Sequence, residues 1–225
     1  MFLNKNNQIK WKSVIWATCI VIALCFLGVF WFDVPLFIFM RRFNGVIASF
    51  VDNVFSLKIW LIVLGIALAI VYILNIKNGI KQISGLKKYF PYDLWKNRKK
   101  IFHNELLFTL FSIFCSVLLA GIIGWILKVV IGRMRPIFLE ALGLTGFYPF
   151  TTEWAFNSMP SGHTVASFAG LVMIGLIYPK YKWLTWTLAI LIGLMRIAFG
   201  AHFPTDVLLG AFIGMITADF VKSKI

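Results

Sequence analysis

Three short blocks in the second half of this 225-residue chain concentrate residues able to do chemistry on an anion. The first runs from Lys128 through Arg133 to Arg135 and Pro136. The second is Pro160-Ser161-Gly162-His163, and the third runs from Arg196 through His202 to Asp206. Lysine and arginine bring charge, and arginine adds a forked pair of donors that fits phosphate oxygens. The second block opens an apolar run, so its backbone N–H groups and the dipole of the helix it starts face any bound anion. Gly162 lets a backbone come close. His202 and Asp206 stand four residues apart around a helix start that Pro204 can open. An aspartate paired with an imidazole fixes its tautomer and steadies its charged form. His163 is then left for a different task. One nucleophilic imidazole, one acid imidazole and a cationic cradle make up a phosphoryl-transfer site that needs no metal.

Each of these residues alone has a plainer reading. A single histidine at a helix end is more often a satisfied interface residue than a catalyst. Ser161 can serve simply as an N-cap, a role compatible with phosphate binding. Arg133, beside Gly132, either lines the turn or contacts phosphate, and the sequence leaves both open. The ordered combination decides, because a four-residue string such as PSGH occurs by chance about once in a thousand chains of this length. Two further blocks in the right order make coincidence remote.

With these residues the chain resembles the type-2 phosphatidic acid phosphatase superfamily, whose signature is K-x6-R-P, then P-S-G-H, then S-R-x5-H-x3-D. The match is Lys128/Arg135/Pro136, Pro160/Ser161/Gly162/His163 and Arg196/His202/Asp206, with 23 and 32 residues in the two intervals. It covers residues 100–221 strongly. One departure is Met195, where the family usually has a serine. The resemblance implies that His202 attacks phosphorus, Asp206 orients it and His163 protonates the leaving oxygen. It implies that Lys128, Arg135, Ser161, Gly162 and Arg196 hold the phosphate, with no metal or other cofactor. The implied substrates are lipid phosphates: phosphatidylglycerol phosphate, undecaprenyl diphosphate, phosphatidic acid or the lipid A phosphates. Transfer of phosphate from a polyprenyl diphosphate to another lipid is the enzymatic alternative, and a non-catalytic lipid or anion transporter the non-enzymatic one. No inverted copy of the early spans supports the transporter.

The elements that must position these blocks follow from composition. Of the residues, 60% are hydrophobic and only 13% charged, against ~45–50% and ~25% in an ordinary soluble domain. A soluble globule and a disordered tail are excluded. Three cysteines inside apolar runs exclude a disulfide scaffold or zinc site and read as small buried hydrophobes. Apolar runs that read as candidate spans lie at Ser13–Phe32, Leu57–Asn75, Asn104–Leu127, His163–Tyr178, Trp183–Ala198 and Thr205–Val221. The first follows three lysines but is longer than a signal core, so it reads as an uncleaved anchor. Pro35–Phe55 alternates apolar and charged residues at helical spacing, which predicts an interfacial helix. The expected fold is an all-α integral membrane protein of six transmembrane helices with this extra helix between the first two. It forms a single polytopic domain over 1–225, with a motif-bearing core at 100–221.

Charge then orients the chain. Twenty-two Lys and Arg against eight Asp and Glu leave +14, which in a soluble chain points to nucleic acid. Here 15 of the 22 fall in the inner segments if both termini are inside, including the stretch 78–100. That is the positive-inside pattern, with no nucleic-acid partner. His103 then lies on the inner side, away from the motifs. The outer cations Lys128, Arg133, Arg135 and Arg196 are costly near a bilayer and call for an anion. Because the last three spans are short, their catalytic ends are expected at the outer headgroup layer. There a lipid phosphate enters with its tail still in the bilayer. The composition reads as bacterial, which places the site on the outer face of the cytoplasmic (inner) membrane.

Overall fold

Each of the six apolar runs forms a helix. In the computed structural model, which describes residues 1–46, 50, 54–80 and 105–225, the elements in chain order are helical. α1 is Trp11–Leu27, α2 Asp33–Arg41, α3 Leu57–Ile80 and α4 Glu105–Ile131. α5 is Pro136–Leu142, α6 Gly162–Ile177, α7 Lys182–Ala198 and α8 Pro204–Lys224. Among the described residues there are two isolated β-bridges and no strand. Four helical stretches are long and apolar enough to cross a membrane: Trp11–Arg41, Leu57–Leu74, Glu105–Ile131 and Pro204–Lys224. α6, with 16 residues, reaches only ~24 Å at 1.5 Å per residue.

α6 is the central helix, with α8, α7 and α4 packed around it. Eleven of its sixteen residues are buried. Small residues make this approach possible, as in other membrane helix contacts. Ala166 and Ala169 are fully enclosed together with Val117 and Ala120 of α4 and Ala189 of α7. Gly170 receives the ring of Trp60, and Gly214 of α8 lies against the Val165 carbonyl. The outer surfaces are apolar too: Trp16, Phe30, Trp125 and Trp183 are exposed. A helix hydrophobic all round, yet not covered by protein, is suited to lipid.

Two sequence expectations need correction. No separate interfacial helix starts at Pro35. α1 continues into α2 through a π-helical turn, Gly28–Phe32, so one helical rod runs from Trp11 to Arg41. A proline inside a helix normally breaks it by removing an N–H and crowding the preceding turn. Here the wider turn, closed by Asp33 N–H donating to Gly28 O, lies just before Pro35 and takes up the irregularity. Further along that stretch Val46, Phe50 and Val54 are helical and exposed, while 47–49 and 51–53 lie outside the described residues. The cysteines are all free, but Cys19 is exposed and only Cys25 is fully buried. Cys19 sits on the outward, apolar side of α1, where a small hydrophobe needs no cover. The basic stretch from residue 81 on, and His103, lie outside the described residues.

Candidate active site

The three blocks meet where α4 ends and α6 and α8 begin. α4 stops at Ile131, and Gly132 takes a left-handed φ of +60°. Any Cβ there would collide with the Tyr148 carbonyl, so glycine suits this turn on both counts. Met134 N–H then bonds Gly146 O at 2.9 Å and Arg135 N–H bonds Ala155 O at 3.0 Å. These bonds fold residues 143–160 over the first block. The chain enters α6 through a cis Met159–Pro160 peptide. Ser161 N–H bonds Asp206 O at 2.9 Å, which joins the starts of α6 and α8.

Lys128, in the last turn of α4, donates from Nζ to Asn157 O at 2.6 Å. A Cβ on Gly162 would lie 3.7 Å from Lys128 Cε, so the second block faces the first. Arg135 is held by Trp154 O at 2.9 Å and Ala201 O at 3.3 Å, with its guanidinium 4.3 Å from the Trp154 ring centre. Arg196 is buried in the last turn of α7. Ser161 occupies the N-cap of α6 but makes no side-chain cap bond. Its Oγ instead accepts from the Thr164 hydroxyl at 2.9 Å. Capping therefore does not account for Ser161. His163 is half-buried in the first turn of α6. Met195, in place of the usual serine, packs with the apolar cluster around α6.

His202 sits on the loop between α7 and α8, 2% exposed. Its Nδ1 is 3.6 Å from Asp206 Oδ2 and 3.5 Å from Ser158 Oγ. Asp206 is wholly buried and fully engaged. Its Oδ2 accepts from the Ser158 hydroxyl at 2.5 Å and from Phe203 N–H at 2.8 Å, while its Oδ1 accepts from Arg133 at 2.7 Å. Burial pushes the His202 imidazole well below its usual pKa; Asp206 opposes this, and Arg135, Lys128 and Arg196 add to the lowering. The same three cations thus act on one imidazole. Such a field favours a neutral ring facing an anion.

Arg133, which the sequence left between two roles, is 3% exposed and lies between two carboxylates. Nη1 donates to Asp206 Oδ1 and to Thr205 Oγ1, each at 2.7 Å, and Nη2 donates to Asp33 Oδ2 at 2.6 Å. Its guanidinium also stacks 4.3 Å over Phe203. Burial works against its charge, but Asp206 and Asp33 outweigh that and hold its pKa above the usual arginine value. Arg133 thus links the Asp206 carboxylate to Asp33 in the first helical rod.

Two participants escaped the sequence reading. Ser158 stands two residues before the PSGH string and has no periodic signature. Asp33 had a readable signal: a carboxylate at the end of an apolar run that spans a membrane is a functional suspect by default.

A family model described as PAP2 superfamily matches residues 109–224. A lipid A 1-phosphatase of Rhizobium etli is 36% identical over 102 residues, 45% of this chain and 44% of that protein. An undecaprenyl-diphosphatase of Sulfolobus acidocaldarius is 31% identical over 101 residues, 44% of this chain and 47% of that protein. The chain thus spans less than half the length of these curated relatives. The crystal structure of Aquifex aeolicus LpxE aligns over 86% of this chain and 95% of that one, with 21% identity and a TM-score of 0.48.

Proposed function

The chain belongs to the PAP2 superfamily, and from that premise we propose that it is a membrane hydrolase removing the terminal phosphate of a lipid phosphate or diphosphate. The observation that carries this reading is the buried His202, 3.6 Å from Asp206 and within the field of Lys128, Arg135 and Arg196. In the proposed reaction Nε2 of neutral His202 attacks phosphorus, forming an N–P bond as the P–O bond to the lipid breaks. Nδ1–H faces Asp206, which stabilises the imidazolium character that develops. His163 gives its proton to the leaving oxygen. Lys128, Arg135, Arg196, the Ser161 hydroxyl and the Gly162 N–H that opens α6 stabilise the negative charge on the equatorial oxygens. Water then attacks the phosphohistidine with His163 as base, releasing phosphate and restoring both imidazoles. No metal enters this scheme.

The chain is placed as a single polytopic membrane domain over 1–225 with the motif-bearing core at 100–221. α1, α3, α4, α6, α7 and α8 cross the bilayer with both termini inside. The site then opens on the outer face of a bacterial cytoplasmic membrane. Support for this comes from the positive-inside count and from the apolar outer surfaces of the helices.

A panel assay decides the substrate. Purified protein in detergent, with chelator, is given phosphatidylglycerol phosphate, undecaprenyl diphosphate, phosphatidic acid and lipid A phosphates, with and without an acceptor lipid. Release of free phosphate from one class is the expected result. Phosphate appearing on the acceptor instead identifies a transferase, and silence towards every lipid defeats the reading.

Two further outcomes follow from the roles assigned. His163→Ala lowers kcat for a monophosphate more than for a diphosphate, because the better leaving group needs less protonation. Equal losses count against His163 as the acid. The pH profile carries the second. kcat/KM reports groups of the free enzyme, and burial holds His202 neutral below its ordinary pKa of 6.5. After correction for substrate ionisation, kcat/KM does not fall as pH drops from 7 to about 6, because His202 stays neutral and the acid His163 keeps its proton. An acid limb centred near the ordinary imidazole value contradicts a buried nucleophile.

A further inference from the structure

Asp33 is a buried acid that the proposed chemistry does not use. It lies in the first helical rod, 1% exposed, 100 residues from Arg133 and 173 from Asp206 in sequence. Its carboxylate is surrounded by donors. Oδ1 accepts Thr205 N–H at 2.9 Å, and Oδ2 accepts the Thr205 hydroxyl and Arg133 Nη2, the latter at 2.6 Å. The first of these satisfies an N–H in the opening turn of α8, a donor that has no partner within its own helix. The π turn before Asp33 brings the rod against α8 so closely that a Cβ on Gly28 would collide with Thr205 Cγ2. Asp33 thus holds both the arginine and the helix start on which His202 and Asp206 depend.

An arginine beside a carboxylate prefers two parallel bonds to its two oxygens. Arg133 does not do this. One arm of its fork goes to Asp206 Oδ1 and the other to Asp33. Asp206 Oδ2 is therefore left to Ser158, Phe203 N–H and His202 Nδ1. We infer that Asp33 is a positioning residue for the proposed nucleophile: by occupying one arm of Arg133 it keeps Asp206 Oδ2 directed at His202. This rests on the phosphatase reading for the role of His202, while the geometry stands apart from it. Asn at position 33 has the same shape but turns an amide NH2 toward a ring of donors. Arg133 then swings to both oxygens of Asp206, and His202 loses its partner.

Two measurements on the full chain in detergent test this. One is steady-state phosphate release from undecaprenyl diphosphate in micelles. The other is the 15N shift of the histidine ring nitrogens, which needs no turnover. Only three histidines are present, so the His202 signals are identified by their loss in H202A. Asp33→Asn is expected to lower kcat about 20-fold with KM within about twofold, a size usual for coupling inside one hydrogen-bond network. It also moves the His202 nitrogens away from a pure Nδ1–H tautomer. In a R133K background, where lysine has no fork to redirect, the effect of D33N shrinks to about twofold or less. Asp33→Glu, which keeps the charge, gives an intermediate kcat. A D33N loss confined to KM, an equal loss in both arginine backgrounds, unmoved His202 nitrogens in D33N, or a D33E no more active than D33N overturns the inference. A wild-type protein that releases no phosphate from any lipid defeats the phosphatase reading instead, and the nitrogen shifts still decide the role of Asp33.

Discussion

His202→Ala abolishes phosphate release from every lipid substrate while the protein stays folded and membrane-inserted. The expected loss in kcat is on the order of 10⁴-fold or more, the scale seen when a covalent catalyst loses its nucleophile or the base that activates it. What remains is whatever rate the cradle provides by binding and charge stabilisation alone. The fold should tolerate the change because the ring is held by loose contacts, at 3.5 Å to Ser158 and 3.6 Å to Asp206. The tighter bonds in this region run between Asp206, Ser158 and Arg133 and do not involve the ring. A direct observation accompanies the rate. Labelled substrate quenched during turnover leaves acid-labile, base-stable phosphate on the wild-type protein and none on H202A. Retained turnover in a folded H202A protein sinks the phosphohistidine scheme, whatever the substrate. Label that persists in H202A but disappears in H163A would exchange the roles of the two histidines.

The legible part of this site was the part written locally. Lys128 to Pro136, Pro160 to His163 and Arg196 to Asp206 each form a turn or a helix start. Their spacing there follows from backbone geometry that a sequence records directly. Pro204 opening α8 and His202 one turn from Asp206 are of this kind. So are the helices that the apolar runs form, with four stretches among the described residues long and apolar enough to cross a membrane. What was not legible depends on partners far apart in the chain. Arg133 is ambiguous in sequence because both carboxylates that define it are remote, at positions 33 and 206. Nothing in the periodicity of α1 reveals that its end meets α8. The separate interfacial helix expected from Pro35 failed for a related reason. A π turn inside an apolar run leaves no mark on composition, yet it lets the helix continue to Arg41, where the side chain pairs with Glu140 at 2.6 Å. Ser158 carries no mark in the sequence because serine is common in loops, and only its bond to Asp206 gives it a role.

Arg133→Ala is expected to be the most damaging change to stability. The guanidinium is enclosed with Asp33 and Asp206, all three at most 3% exposed. With Arg133 present, the triad carries one net negative charge and all its strong donors are matched. Alanine removes the only cation bonded to either carboxylate among the described residues and leaves two buried negative charges near each other. Removing one partner of a buried pair costs about 3–5 kcal/mol, and here one deletion strands two carboxylates. The cation stack over Phe203 is lost as well. Thermal unfolding in detergent should fall by many degrees, and folded protein should be poorly recovered. Arg133→Lys separates charge from geometry: it keeps a positive group but no planar fork able to reach both carboxylates. It should recover part of the stability and less of kcat. If Arg133 instead touched phosphate directly, R133A would remain stable and chiefly raise KM. A folded R133A protein with wild-type melting behaviour would therefore return Arg133 to the cradle. A destabilised R133A beside a stable, slow R133K would fix it as the link between the first helical rod and the carboxylate behind His202.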